Sequence, residues 1–233
     1  MNKSAPAITF SRLAKNWFLV FVLIYGLWVW APFLPPLFMR LGWDGPANAI
    51  YFIYSLFCHQ LPQRSYFFFG SQISYSLADI QAAWMDTTNP LLLRKFTGTP
   101  EMGWKVAWSD RMISFYGGIW FAALIWYPLR RRIGNLPWWG MVLFLLPIAL
   151  DGGTHLVSEL IYGFGQGFRD HNQWLAIWTG NTFPSAFYAG DMLGSFNSLM
   201  RWATGLIAGL GLVWFAFPYI DEAYPTDEVI NND

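Results

Sequence analysis

Four long segments of the chain carry almost no charge and are apolar enough to cross a lipid bilayer. A transmembrane helix needs about 20 mostly apolar residues, because the hydrocarbon core is about 30 Å thick and a helix rises about 1.5 Å per residue. Aromatic residues lie near the segment ends, where amphipathic rings prefer the membrane–water interface. The pattern predicts four transmembrane helices, at residues 16–39, 112–129, 133–150 and 202–220.

The basic residues indicate how these helices are oriented. They flank the first span and fill the short link between the second and third: Lys3, Arg12, Lys15, Arg130, Arg131 and Arg132. Basic residues beside spans favour the cytoplasmic side. We therefore expect an inner or plasma membrane protein with both termini in the cytoplasm, including the tail 221–233. Segments 40–111 and 151–201 are then outside the cell.

The two outer segments differ from ordinary soluble loops. Residues 45–63 carry no formal charge and could form a fifth span, an interfacial helix or a re-entrant helix. A fifth span would separate the two basic clusters, so the other two alternatives are favoured. Gly152 and Gly153 are typical of a turn. The expected fold is one all-α membrane domain over 1–233, with interfacial or re-entrant helices and loops forming an extracytoplasmic cap over the four transmembrane helices.

The composition agrees with this class and excludes others. The chain has 55% hydrophobic and only 12% charged residues, whereas soluble domains carry about 25% charged residues. Its 14 Lys and Arg balance 14 Asp and Glu, so there is no basic field for nucleic acid. Membrane lipids and other integral-membrane subunits are the expected partners.

The candidate metal ligands fall on the predicted outer side. Cys58 and His59 are adjacent, and His155 follows the third predicted span. A site built from these three is geometrically possible, although the spacing is not a zinc signature. We favour the alternative, in which Cys58 is a buried apolar residue and His59 is a hydrogen-bonding residue at the interface. No metal or other cofactor is therefore expected.

Charged residues collect at the predicted outer ends of the spans. Asp151 ends the third span, and Arg111 and Arg201 begin the second and fourth. Charges at this depth are costly unless paired, which favours structural ion pairs. The alternative is a site for an anion or an anionic lipid headgroup. Its candidate residues are Arg64, Lys105, Arg111 and Arg201, with Asp110 and Asp191 as further pairing partners.

Two glycines on the fourth predicted span have the spacing of a helix-packing motif. Gly205 and Gly209 are four residues apart, which lets a neighbouring helix approach closely. By contrast, the phosphate-binding loop, the His-Glu-x2-His motif and the Cys-x2-Cys motif are all missing from the sequence. The residue pattern therefore contains packing signals but no complete catalytic set, and a non-catalytic protein is favoured.

Four short motifs lie between about residues 50 and 215. They are Cys58-His59-Gln60-x-Pro62-x-Arg64-Ser65, Gly103-Trp104-Lys105-Val106-Ala107-x2-Asp110-Arg111, Pro147-x3-Asp151-Gly152-x-Thr154 and Ser195-x-Asn197-x3-Arg201-x2-Thr204-Gly205. With them the chain resembles an uncharacterised bacterial integral-membrane family, a domain of unknown function with Chloroflexus-type members. The resemblance implies four spans and no established activity. Members carry a Cys-x-Arg-Cys where this chain has Ser109-Asp110-Arg111, so a metal held by those cysteines would be lost here.

Two functions remain open at this point. The favoured one is a non-catalytic subunit that stabilises a larger membrane complex, such as a respiratory or photosynthetic electron-transport complex, because the chain is aromatic and poor in charge. The alternative is a lipid- or metal-dependent enzyme at the outer leaflet. There the arginines would hold an anionic headgroup, and His59 or His155 with Asp151 would move protons.

Overall fold

The structure, a computed structural model, describes residues 14–224 and is mostly helical. Within that range four helices are long and apolar enough to cross a membrane, which confirms the predicted class of all-α membrane protein. They are Trp17–Arg40, Asp110–Leu129, Trp138–Tyr162 and Phe196–Ala223. Lys3, Arg12 and residues 225–233 of the predicted cytoplasmic tail lie outside the described range.

The first candidate span consists of two helices in line. Helix α1 (Trp17–Trp30) passes through a 3-10 turn (Ala31–Phe33) into α2 (Leu34–Arg40). The helix type changes where Pro32 and the prolines of α2 occur, since proline cannot donate a backbone hydrogen bond. Helix α2 is followed by α3 (Asp44–Tyr54), which lies within the charge-poor stretch of the first connecting segment.

Helices α6 (Asp110–Leu129) and α11 (Phe196–Ala223) run side by side in the same direction. At one end Ser114 Oγ donates a hydrogen bond to the carbonyl oxygen of Arg201. Further along, the rings of Trp126 and Phe217 lie 5.5 Å apart. The centre of the bundle is therefore a parallel helix pair.

Helices α1 and α7 (Trp138–Tyr162) run antiparallel to this pair. Trp120 Nε1 donates to the carbonyl oxygen of Val22 at 3.0 Å, and the rings of Phe144 and Trp214 are 6.0 Å apart. We call the head the end of the bundle at which α6 and α11 begin and α7 ends. It includes the connecting residues 41–109 and 163–195.

Glycines allow α6 and α11 to approach closely. A Cβ atom on Gly209 would lie 2.9 Å from the Phe115 oxygen and the Ile119 nitrogen, both backbone atoms of α6. A Cβ on Gly205 would overlap Ser114 Oγ. These two glycines, predicted for helix packing, thus lie at a contact within the chain and are not available to a partner subunit.

Helix α7 continues beyond the end of the third predicted span. It includes Gly152 and Gly153, so the prediction of a turn there was wrong. Asp151, His155 and Ser158 follow at helical spacing and are all buried, which places them on one packed face. Contacts of this face with the rest of the chain outweigh the weak helix propensity of two glycines.

The first connecting segment contains a small antiparallel sheet that the sequence pattern did not predict. Its strands are β1 (Ser65–Phe68), β2 (Gly98–Thr99) and β3 (Gly103–Ser109), in the order β1-β3-β2. Strand β3 is buried at five of its seven positions, so it lacks the polar–apolar alternation typical of a half-exposed strand. The placement of this segment in an extracytoplasmic cap stays a prediction.

The remaining elements of the head are short. A 3-10 turn and five helices complete it: Pro62–Arg64, α4 (Leu77–Ala83), α5 (Pro90–Leu93), α8 (Phe168–His171), α9 (Gln173–Trp178) and α10 (Ser185–Tyr188). Asn172 joins α8 to α9 with a positive φ of 41°, a conformation that asparagine tolerates. Its side-chain amide donates to the carbonyl oxygens of Arg169 and Tyr188, which fixes the turn.

The glycine contact predicts that two Gly→Ala substitutions in long helices differ in their effect on stability. Gly209→Ala should lower the melting temperature in detergent, because the new methyl group meets backbone atoms that cannot move away. Gly153→Ala is the control, since its Cβ would meet nothing within 4 Å. Removing that glycine should leave stability unchanged or raise it by up to about 1 kcal/mol. Equal effects of both substitutions would contradict the close α6–α11 contact.

Candidate functional site

Arg201 is the centre of a buried ion-pair network in the head. Its side chain is 2% exposed. Its Nε atom donates to both carboxylate oxygens of Asp110, at 2.8 and 2.9 Å. One terminal nitrogen donates to Asp191 Oδ1 at 2.6 Å, and the other donates to the Asp191 carbonyl oxygen. Every nitrogen of the Arg201 guanidinium therefore donates to a group of the chain itself.

Asp191 connects Arg201 to a second arginine. Arg64 Nε donates to Asp191 Oδ2 at 2.7 Å, and a terminal nitrogen of Arg64 donates to Glu159 at the same distance. Burial alone would raise the pKa of Asp191, but Arg64 and Arg201 hold this pKa well below its usual range. Asp191 and Arg64 are therefore both charged, and they join the two connecting segments to α7 and α11.

Asp151 pairs with two further arginines. Arg111 donates to Asp151 Oδ2 at 2.6 Å and Arg169 donates to Oδ1 at 2.7 Å. A terminal nitrogen of Arg169 also lies 3.2 Å from His155 Nε2. Because both oxygens of Asp151 accept bonds from arginines, Asp151 and His155 are held as parts of the network and do not form a free acid–base pair.

A cavity of about 190 Å³ lies beside this network. It is lined by Phe57, Cys58, His59, Gln60, Leu61, Arg64, Ser109, Arg111, Met112 and Arg201. Three arginines thus contribute to the wall, and within residues 14–224 no Asp or Glu does. The four carboxylates that neutralise the network, those of Asp110, Asp151, Glu159 and Asp191, do not line the cavity. The wall therefore has an excess of positive charge although the whole network is neutral.

The first turn of α6 adds hydrogen-bond donors to the same wall. Ser109 is the N-cap residue of this 20-residue helix, and its side chain makes no capping hydrogen bond. A helix N-terminus carries a partial positive charge and N–H groups without a partner in the helix; here the Asp110 carboxylate accepts one of them, from Arg111 N at 2.8 Å. The buried Nε of Arg111 has no hydrogen-bond partner within the described residues. The combination of arginines and a helix N-terminus is typical of a site for an anion.

The predicted metal ligands are not brought together. Cys58 lies on the cavity wall, where its Sγ is 3.5 Å from Ser109 Oγ and accepts a hydrogen bond from Gln60 N at 3.3 Å. His59 is exposed, and His155 belongs to the network. Over residues 14–224, no three His, Cys, Asp or Glu side chains are close enough to hold a metal ion. The three-residue metal site considered from the sequence is therefore not assembled.

Lys105 is the one candidate of the predicted charge cluster that lies outside the ion-pair network. It is fully buried on β3. Its Nζ donates to the carbonyl oxygens of Gln60 at 2.8 Å and Arg94 at 2.7 Å. Burial lowers the pKa of Lys105 from 10.5 to about 7. The amine of Lys105 therefore holds two backbone segments, at Gln60 and Arg94. The other four candidates, Arg64, Arg111, Asp151 and Arg201, are brought together as one cluster.

Sequence reasoning missed two members of the network, Arg169 and Glu159. Glu159 lies on the part of α7 that continues beyond the predicted span. Arg169, on α8, contacts Asp151 and His155 of that same part. Glu159 lies eight residues after Asp151, with His155 midway, and this spacing places all three on one helix face. The spacing was therefore a usable signal, and it was lost because the two glycines at 152 and 153 were interpreted as a turn.

These features define the class of the protein. It is a helical membrane protein with four candidate spans and a charged network at one end of its bundle. Residues 101–189 match a family described as "Predicted membrane protein (DUF2085)". The chain is also similar to an uncharacterized protein, MJ1492, of Methanocaldococcus jannaschii. The two are 25% identical over 216 residues, which cover 89% of this chain and 95% of that relative.

The comparisons support a membrane protein of unknown function and no finer assignment. No solved structure shows significant similarity to the chain. The family match does not include residues 58–65. That the Cys-His-Gln motif marks a family, and that the chain belongs to a Chloroflexus-type family, therefore stay predictions. The relative named above is archaeal, whereas the resemblance predicted a bacterial family.

The buried amine predicts that stability depends on pH. Lys105 loses its proton near pH 7 in the folded protein and near 10.5 when unfolded. Between these values the unfolded chain binds more protons, so the free energy of unfolding rises with pH by up to about 1.4 kcal/mol per unit. Lys105→Met should remove this rise, measured by thermal unfolding in detergent from about pH 7 to about pH 9.

The control for this experiment is Lys95→Met, because Lys95 is exposed. The Lys95 variant should keep the pH dependence of the wild type. If the Lys105 and Lys95 variants show the same slope of stability against pH, the amine of Lys105 is not the group that titrates.

Proposed function

We propose that this membrane protein binds an anionic group, a phosphate or a carboxylate, in the cavity of the head. One observation carries the proposal: the cavity wall contains three arginines and the N-terminus of α6, while none of the carboxylates that pair with these arginines lines it. An anion in the cavity would meet donors on several sides and no negative side chain of the described wall.

Arg111 is the main ligand in this proposal. Arg201 already uses all three of its nitrogens, and Arg64 holds two carboxylates. Arg111 holds one carboxylate and has a buried Nε without a partner in the described part of the chain. Only one terminal nitrogen of Arg111 donates to that carboxylate, and within residues 14–224 the other makes no hydrogen bond, so an acceptor in the cavity would use this second terminal nitrogen.

The cavity size supports a small anionic group. A water molecule takes about 30 Å³ of liquid volume, so a cavity of about 190 Å³ accommodates one phosphate-sized group with some water. It does not accommodate a whole lipid. The group could be a free anion, or the headgroup phosphate of a lipid whose chains stay outside the cavity.

The experiment compares three proteins: the wild type, Arg111→Gln and Arg40→Gln. Arg111 is the better target because Asp151 keeps Arg169 as a partner after the substitution. Arg40 is exposed at the end of α2, at the head end of the first candidate span, so its removal deletes the same charge outside the cavity. Melting temperatures are measured in zwitterionic nanodiscs with and without inorganic phosphate, and in nanodiscs that contain phosphatidylglycerol.

A ligand that binds the folded state raises the melting temperature. We expect this rise in the wild type and in Arg40→Gln, and its loss in Arg111→Gln. A rise with phosphate identifies a free anion as sufficient, whereas a rise only with phosphatidylglycerol identifies a lipid headgroup. No rise in the wild type, or the same rise in all three proteins, contradicts the proposal.

We further propose that the head faces the outside of the cell and that both termini lie in the cytoplasm of a plasma membrane. The basic residues 130–132 support this orientation, because they lie in the short link at the opposite end of the bundle from the head. A reporter that is active only in the cytoplasm, fused after residue 233, should be active. Activity only of a reporter that needs the exterior would reverse the orientation.

A second candidate function is that of a non-catalytic subunit in a larger membrane complex. An apolar groove of about 640 Å³ along α1 favours it, lined by Trp17, Val20, Phe21, Ile24, Tyr25 and Trp28. A respiratory or photosynthetic electron-transport complex is the assembly expected from the composition.

Filling the groove tests the second candidate. Val20→Trp should release a partner subunit during purification in mild detergent, whereas Leu23→Trp should not, because Leu23 is 63% exposed and does not line the groove. The measurement is the mass of the purified particle. A wild-type protein that is stable as a single monomer in native-membrane extracts would contradict a subunit role.

A further inference from the structure

The second connecting segment contains a long run without any charged side chain. Residues 172–190 include no Asp, Glu, Lys, Arg or His. Helix α9 within this run has no buried residue. Two of its large apolar side chains are strongly exposed, Trp178 at 86% and Ile177 at 69%. A continuous apolar surface of this kind indicates contact with something other than water.

The position of the run indicates what that contact is. Helices α7 and α11 have 25 and 28 residues, which makes them about 37 and 42 Å long. The hydrocarbon core is only about 30 Å thick. If both helices span it, their ends must extend into the layer of lipid headgroups, and α11 begins only a few residues after the run.

The uncharged run is held against this end of α11. The rings of Trp174 and Phe187 lie 5.8 and 6.1 Å from that of Phe196, the first residue of the helix. Asn197 Nδ2 donates to the carbonyl oxygen of Gly190 at 2.9 Å. Since both ends of the run are attached to the first turn of α11, the run lies at the same depth as that turn.

An apolar groove continues from this run along the helix. The groove, of about 490 Å³, includes Phe187 of α10 and then Leu199 and Trp202 on α11. The apolar surface of the run is therefore continuous with the side of α11 that enters the candidate span. Leu199, between the two aromatic residues, is 57% exposed.

We infer that residues 172–190 lie in the lipid headgroup layer, with the exposed side chains of α9 inserted among the upper acyl chains. Tryptophan favours this layer because its ring is apolar and its N–H group can still bond to water or lipid oxygens. Because the run has no charge, its insertion does not depend on anionic lipids. The inference therefore goes beyond the proposed anion site and is independent of it.

The experiment attaches an NBD fluorophore to single cysteines introduced in place of Trp178, Glu101 and Leu210. The wild type is the labelling blank, since its one cysteine, Cys58, is buried. Glu101 is exposed between β2 and β3, and Leu210 is 45% exposed within α11. The full-length proteins are studied in zwitterionic nanodiscs with three quenchers: aqueous iodide, a headgroup nitroxide and a nitroxide near the acyl-chain end.

We expect the label at 178 to lose most fluorescence to the headgroup nitroxide, the label at 101 to iodide and the label at 210 to the acyl-chain nitroxide. If iodide quenches 178 as strongly as 101, the run lies in water and the inference is wrong. Protection of 178 from all three quenchers would mean that protein covers the run, which also overturns it. A depth equal to that of 210 would place the run within the hydrocarbon core and would overturn it as well.

Discussion

The head of this protein depends on one carboxylate that two arginines share. Asp191 binds Arg201 through one oxygen and Arg64 through the other. Through Arg201 it is connected to Asp110 on α6, and through Arg64 to Glu159 on α7. Unpaired charges at this depth would be costly, by about 3–5 kcal/mol when one partner of a buried pair is lost. The ionic pairing therefore joins α6, α7, α11 and both connecting segments, which are far apart in sequence.

The same pairing leaves positive charge on the cavity wall although the network as a whole is neutral. The arginines and the carboxylates are equal in number, so the charge of the whole chain gives no indication of a binding site. The cavity nevertheless has three arginines on its wall, whereas the carboxylates that pair with them do not line it. In a medium of low polarity such an arrangement has a strong local effect. The proposal of an anion site thus rests on the arrangement of the charges and not on their total.

The sequence predicts the helices of this fold better than their ends. A span is recognisable because its length and lack of charge follow from the bilayer, and all four candidate spans were found. The end of α7 was missed because Gly152 and Gly153 have weak helix propensity, while the packing of Asp151, His155 and Ser158 is a tertiary effect. The sheet was missed because β3 is buried on both faces and enters α6 without a turn.

The sequence predicts only part of the candidate site. The sequence groups Arg111, Asp151 and Arg201 because each lies near the end of a span, and in the structure Arg111 pairs with Asp151 and lines the cavity together with Arg201. Lys105 was grouped with them by charge, but strand β3 directs its amine to backbone carbonyls behind the cavity. Strand β3 ends at Ser109 and α6 begins at Asp110, with no residue between them. Because the strand runs directly into the helix, the register of the sheet fixes the point at which α6 starts, and with it the positions of Ser109 and Arg111 on the cavity wall.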